Sequence, residues 1–306
     1  RAVKPMTKSE QVADIRMWDP DCWLNGDTYY AISGGSPPHL MKSDDLETWS
    51  YLGLLLHPDM PDLGVSKNED ISCANMFKIG NKWMLLCISH GMGCRYYLGE
   101  FKDEQFLPEF HAMMNWKDWH FFAPESLLTP DGRRVMWAWC RLDGAQSAIQ
   151  SLPRELSLPE DGVLRIQPLR ELETLRGDEI REGRIRVTRD GSHVLKAIHG
   201  DTVELSIKIK PTDATAYGVS VFCDAEGNGF PITIKPAGGV LAMGDIEPPF
   251  KLKPGEDLNL RVFLDRGMVE VFVNGRQAAV YMQPHDKDDV HISLFSRGSD
   301  LTARVK

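Results

Sequence analysis

The first 170 residues alternate short apolar or aromatic runs with turn signals. In DCWLNGDTYYAISG an apolar run is followed by Asn25-Gly26-Asp27 and then by TYYAIS. NMFKIGNKWMLLCIS repeats the pattern around Gly80-Asn81, and SLLTPDGRRVMWAWC repeats it around Asp131-Gly132. Asn-Gly and Asp-Gly accept the positive φ of tight hairpin turns, so each stretch predicts a hairpin. A more polar run with a further strand follows each, such as LMKSD or YYLGEF. A four-stranded antiparallel unit recurring every ~40–60 residues is the pattern of propeller blades. Three units can be counted, and three blades do not close a propeller. The pattern therefore predicts an all-β fold that opens with a partial propeller.

The stretch 153–180 reads differently. PLRELETLR is charged, with leucines three apart, and predicts a short helix or linker. From about residue 183 onward, VELSIKIK, YGVSVFCD, FPITIK, LNLRVFLDR, MVEVFVN and HISLFSR alternate apolar and polar positions with period two. Asn274-Gly275 and Gly227-Asn228-Gly229 mark turns between them. That pattern predicts a β-sandwich. The expected organisation is a partial propeller over 1–165, a linker over 166–182 and a sandwich over 183–306.

Composition narrows the function classes. The chain has 306 residues, a net charge of -9 and 42% hydrophobic residues. That supports one large core or two moderate ones. The acidic balance argues against nucleic acid as a partner. No apolar run approaches the ~18 residues of a membrane-spanning helix, so no membrane partner is expected. RAVKPMTKSEQ lacks the apolar segment of a signal peptide, which leaves cytoplasmic and secreted locations both open. The chain begins with Arg1 rather than Met, so a leader or larger N-terminal piece is expected before it. The six cysteines form no CxxC pair and are expected as buried, reduced thiols. Their spacing suits no zinc site, and no metal is expected.

Carboxyl groups that serve as acid and base or nucleophile must face one another across a pocket. In a propeller they belong near the start of each blade, on the innermost strand. Asp19, in MWDPDCW, precedes the first hairpin, with Trp18 and Trp23 beside it. Pro20 is expected to hold Asp19 extended. Glu69 and Asp70, in NEDISCANMF, take the corresponding place before the second hairpin. His90 (CISHG), His120 and Glu125 (HFFAPES) fall at strand ends of the second and third units, where they could bind a sugar or pack.

Several longer motifs carry a family resemblance. HFFAPESLLTPDGRRVMWAW is similar to the "FYAPQ…DGRRI-WGW" stretch of glycoside hydrolase family 32, the invertase, inulinase and levanase family. SLPRELSLPEDGVLRIQPLRELETLR resembles the segment joining that family's propeller to its sandwich, and LRVFLDRGMVEVFVNGRQ resembles a sandwich strand pair. The resemblance runs from about residue 16 to 306. It implies a five-bladed propeller with a sandwich, no cofactor and a retaining mechanism. The family uses a nucleophilic Asp in a WMNDPNG-like motif, a stabilising Asp in RDP and an acid/base Glu in an EC motif.

Carried over, Asp19 of WDP matches the Asp of RDP, and Trp18 replaces the family Arg. Reading WDP as the nucleophile motif would need a further blade before RDP. DISCANMFKIGNKW aligned on "WECPDFFKLGDKW" places Ser72 at the acid/base Glu and Asn75 at the following Asp. Serine cannot protonate a leaving oxygen near neutral pH, so Glu69 is favoured as the acid by residue type, with Asp70 close behind. No NDPNG occurs in the chain, and the expectation is that the first two blades of five, with the nucleophile, are missing. The implied substrate is a small molecule or oligosaccharide, sucrose or a fructan such as inulin or levan. A homo-oligomer or complementing chain is a possible partner. The alternative is a non-catalytic carbohydrate-binding protein or an inactive fragment.

Overall fold

The computed structural model describes residues 18–114, 116, 120–141 and 148–306. They divide into two compact units. The first takes 18–141 with 148–151 and 157–162, and the second takes 152–156 with 163–306.

Three antiparallel sheets follow one another in the chain. The first runs in sequence order through β1 (Asp21–Asn25), β2 (Thr28–Ser33), β3 (His39–Ser43) and β4 (Ser50–Leu54). The second does the same through β5 (Ser72–Ile79), β6 (Lys82–Ser89), β7 (Gly93–Lys102) and β8 (Gln105–Met113). The third has β9 (Phe122–Leu128) and β10 (Arg134–Arg141), then β11 (Ala148–Gln150), β12 (Arg154–Ser157) and β13 (Arg165–Pro168). β1 lies against β5, and β5 against β9, so these are the innermost strands.

Two of the expected turns form as two-residue loops, and a third such loop forms where no turn was expected. Asn25 pairs with Thr28 across Gly26-Asp27, with Gly26 at φ 65°. Ile79 pairs with Lys82 across Gly80-Asn81, with Gly80 at φ 57°. Lys102 pairs with Gln105 across Asp103-Glu104, which reach φ 50° and 57° without glycine. Glu104 also accepts hydrogen bonds from Tyr30 Oη (3.2 Å) and Lys42 Nζ (2.7 Å), which fasten this turn to the first sheet. An aromatic cluster fills the space behind it. Phe101 stands edge-on to Trp23 (5.8 Å) and Tyr30 (4.9 Å), an arrangement that suits the ring quadrupoles.

The second unit is a sandwich. One sheet orders β14 (Glu182–Val187), β24 (Leu301–Val305), β16 (Thr202–Ile209), β20 (Leu258–Asp265), β21 (Met268–Val273) and β22 (Gln277–Met282). The other orders β15 (Ser192–Val194), β23 (His291–Arg297), β17 (Ala216–Cys223), β18 (Phe230–Lys235) and β19 (Val240–Met243). Leu205, Ile207 and Ile209 on β16 and Leu258, Leu260, Val262 and Leu264 on β20 point inward at alternate positions, as the period-two pattern requires. The leucine-spaced segment forms only a 3₁₀ helix, Arg170–Leu175, with no buried residue.

Four cysteines, Cys87, Cys94, Cys140 and Cys223, are buried free thiols as expected. Cys22 and Cys73 are not: Cys22 is exposed and Cys73 half-buried. Both sit at the entry to an innermost strand, where alternate side chains face away from the core. No helix among the described residues is long and apolar enough to cross a membrane.

Candidate active site

Each innermost strand is entered through the same backbone device. Asp19, Cys73 and Ala123 hold φ of 41°, 45° and 44°. Each is followed by Pro20, Ala74 or Pro124 and then by Asp21, Asn75 or Glu125. Trp18, Ser72 and Phe122 precede them. The three tetrapeptides therefore present corresponding side chains from neighbouring strands. A left-handed residue other than glycine costs about 1–3 kcal/mol and persists only where surrounding contacts enforce it.

The extended conformation expected for Asp19 before Pro20 is not adopted. Contacts on both sides override the proline preference. Gly34 N donates to Trp18 O at 2.7 Å, and Trp18 N donates to Ser33 Oγ at 3.1 Å. Asp19 Oδ2 accepts the Cys73 N–H at 3.3 Å. Gly34 makes room for this approach, since a Cβ there would stand 2.7 Å from Ile71 O and 3.1 Å from Trp18 O. Asp21 makes the next clasp, accepting the Met76 N–H at 2.6 Å. The WDP and ISCAN segments, 54 residues apart at Asp19 and Cys73, thus meet directly.

The electrostatics around this rim differ from group to group. Burial pushes the Asp21 carboxyl up, against backbone hydrogen bonds from Met76 and Cys22 and the nearby Arg134. Glu125 has an exposed side chain, yet the protein mass around its carboxyl, and then the charges of Asp21 and Asp19, push it up too. The Cys73 thiol is pushed up to about 12 by burial, then by Asp19, with smaller contributions from Glu125 and Asp70. Asp70 goes the other way. Burial would raise it, but hydrogen bonds from the His90 ring, the His90 N–H and Ser72 outweigh burial and hold it below the usual carboxylate range.

Asp70 is the most closely held group. Its Oδ2 accepts from His90 Nδ1 at 2.5 Å and His90 N at 3.0 Å, and its Oδ1 accepts from Ser72 Oγ at 2.7 Å. Its carbonyl accepts from Arg95 Nη2 at 2.5 Å. Arg95 is fully buried and also donates to Tyr97 Oη at 2.5 Å. Glu69 Oε1 takes the Ser89 hydroxyl.

Of the residues singled out from sequence, Asp19, Glu69, Asp70, His90 and Glu125 lie at or beside these strand entries. Trp18 joins them with 41% of its surface exposed. His120 is buried, at 1% exposure, immediately before β9. Sequence reading passed over Asp21, Arg95 and the place of Cys73 at the site, while Asn75 entered only as the residue standing at the family's Asp. The signal for Asp21, Cys73 and Asn75 as one set was the recurrence of one tetrapeptide frame, with proline at its third place in two of the copies. No group of three or more His, Cys, Asp or Glu among the described residues is arranged to hold a metal ion.

Solved structures share this architecture. An exo-inulinase from Aspergillus awamori superposes with a TM-score of 0.78 at 16% identity, covering 99% of this chain and 69% of that one. A sucrose-6-phosphate hydrolase from Lactobacillus gasseri gives 0.72 at 19% identity, covering 94% and 64%. These likenesses bear out the all-β propeller-plus-sandwich fold. In sequence, the chain is 25% identical to a sucrose-6-phosphate hydrolase of Escherichia coli, covering 95% of this chain and 65% of that protein. It is also 25% identical to a levanase of Bacillus subtilis, covering 89% and 46%. The chain spans 57–65% of the length of the first three curated relatives it matches. The model of the glycosyl hydrolases family 32 N-terminal domain matches residues 2–168, and that of the family 32 C-terminal domain matches 171–306. The chain belongs to glycosyl hydrolase family 32.

Proposed function

We propose that this chain forms part of a β-fructofuranosidase that releases terminal fructosyl units from sucrose or a fructan with retention of configuration. The observation that carries the reading is the direct contact of the two family motifs, Asp19 of WDP on the backbone of Cys73 in ISCAN. Asp19 would hold hydroxyls of the fructosyl unit, and Trp18 and Glu125 would line the sugar. The proton donor comes from the group of side chains gathered around Asp70. The family's nucleophile motif does not occur in the 306 residues. This reading takes the nucleophilic carboxylate from outside them, on the same polypeptide or on a complementing one. The relatives named as a sucrose-6-phosphate hydrolase and a levanase support the substrate class.

The test is fructose release from sucrose, 1-kestose and inulin by the longest native polypeptide that contains these residues. Release that disappears in Asp19→Asn supports the reading. A polypeptide that includes an NDPNG-type strand and still releases nothing overturns it. One observation favours a second reading, a fructan-binding protein without turnover: serine stands at the acid position, Ser72, and is buried against Asp70. Calorimetric titration with 1-kestose separates the two, since binding without turnover selects the second.

A further inference from the structure

Building on the hydrolase reading, we propose that His90 is the proton donor of this site and that Asp70 positions it, in place of the carboxylic acid that the family carries where this chain has Ser72.

The pairing arises from the β5–β6 register. Asn75 faces Leu86, but the bulge at Cys73 shifts the ladder so that Ser72 faces Ile88. Carried two residues further, the shifted register sets Asp70 opposite His90, whereas the unshifted one would set it opposite Gly91. One carboxylate oxygen then receives both the His90 ring Nδ1 (2.5 Å) and its backbone N–H (3.0 Å). The other oxygen takes the Ser72 hydroxyl, and Arg95 grips the carbonyl of the same residue. Asp70 is thereby fixed by four hydrogen bonds, and the ring it holds by Nδ1 turns Nε2 away from it.

The ring is open to solvent beside two strand entries. Its side chain is 56% exposed. It stands edge-on to Phe122, with centroids 6.1 Å apart. Phe122 and Ser72 occupy corresponding places in two neighbouring strand entries, so His90 spans both, at the end of the strands where Asp19 meets Cys73. Among the described residues, the charged groups near the dyad include Asp70 itself, Arg95 beneath its carbonyl, Glu69 beyond Ser89, and Glu125 further along β9. The rival donors are less suited. Asp70 is bound as an acceptor by three donors, and Glu69 is engaged by Ser89. Imidazole is the side chain that gains and loses a proton near neutral pH.

In the proposed step the Nε2–H bond breaks as the glycosidic C–O bond cleaves. The bond pair goes to the leaving oxygen, which takes the proton, while a carboxylate nucleophile outside these residues bonds to the anomeric carbon. The neutral ring then removes a proton from the water that releases fructose. His90 returns to its cationic form, held through Nδ1 by Asp70.

Two measurements test this. By ¹⁵N NMR on this chain, His90 Nδ1 stays protonated across the neutral range and loses that bias in Asp70→Asn. A His90 whose Nδ1 is unprotonated at neutral pH overturns the proposal. In the longest native polypeptide, His90→Gln lowers kcat on sucrose by at least about 100-fold, while an aryl β-fructofuranoside, whose leaving group departs without a proton, loses less than about 10-fold. Equal losses on both substrates, or no loss, overturn the assignment and leave the hydrolase reading intact. The same leaving-group signature in Glu125→Gln but not in His90→Gln also overturns it. A wild-type polypeptide that binds 1-kestose and turns over neither substrate overturns the hydrolase reading itself, and this one with it.

Discussion

Arg154 in the second unit and Arg95 in the first are cations buried to the same depth and held by different partners. Arg154 meets Glu270 at 2.9 Å with both side chains almost wholly out of water, and the second oxygen of Glu270 takes the Leu152 N–H at 2.6 Å. Arg95 has no carboxylate within ion-pair distance among the described residues. Its donors go to a phenol and a peptide carbonyl. A buried pair closes its own electrostatic account and acts as a local strut. A buried cation outside such a pair leaves its field to its surroundings, here Tyr97, Cys87 and His111. The contrast is between a charge that closes a local pair and one that acts on its neighbours.

Mutation can break that distinction, and the largest effect is expected in the second unit. Glu270→Gln removes the carboxylate charge that faces Arg154 in the pair and should cost about 3–5 kcal/mol. Urea unfolding would measure it, and a loss below about 1 kcal/mol would mean that the pair is not a strut. In the first unit, Gly34→Ala forces a Cβ onto Ile71 O and should cost about 1–3 kcal/mol by the same measurement. Arg95→Met should cost less than Glu270→Gln, about 1–2 kcal/mol, because deleting an uncompensated charge offsets part of the two lost hydrogen bonds. It should also weaken the hold on Asp70, visible as a weaker Asp70–His90 hydrogen bond in the His90 Nδ1–H NMR signal. A cost for Arg95→Met equal to that of Glu270→Gln would erase the contrast.

The smallest effect is a difference in acid sensitivity. Burial, then the charge of Arg95, holds His111 down to about 4, with Glu69 opposing. His111 is neutral in the folded unit while the unfolded chain takes up protons from its ordinary value of 6.5. The first unit therefore keeps this stability above pH 6.5 and loses it as pH falls toward about 4. In the second unit, hydrogen bonds from Arg276 foremost hold Glu256 down to about 2 against partial burial. Its contribution is present above pH 4.5 and is lost between 4.5 and about 2. Thermal unfolding across pH should show the first unit weakening earlier. His111→Gln should flatten its profile between 6.5 and 4.

Much of the fold could be read from the chain. Gly26, Gly80 and Asn274-Gly275 announced turns because their backbones carry positive φ cheaply. The Asp103-Glu104 turn gave no such signal: it reaches the same geometry with ordinary residues, supported by Tyr30 and Lys42 at distant positions. β14, β15, β19, β22 and β24 are short or weakly patterned strands, placed by pairing rather than by periodicity. At the site, Asp19 could be located from its motif but its conformation could not. Local preference before proline points to extended backbone, and only the contacts to Ser33, Gly34 and Cys73 reverse it. The Asp70–His90 pairing was hidden for a related reason. It depends on a one-residue bulge, and sequence periodicity carries no mark of where a ladder slips.

The repeated entry frame has a consequence for how such a protein changes over time. Three copies of one backbone socket, at Trp18–Asp21, Ser72–Asn75 and Phe122–Glu125, fix where side chains emerge without depending on which side chains they are. Chemistry can be exchanged one plug at a time while the wall behind it stays intact. A serine in one socket, sharing Asp70 with a histidine from the β6–β7 turn of the same sheet, is the kind of arrangement such a wall tolerates. Acid, binder or spectator can occupy the same place in successive descendants with the strands still in register.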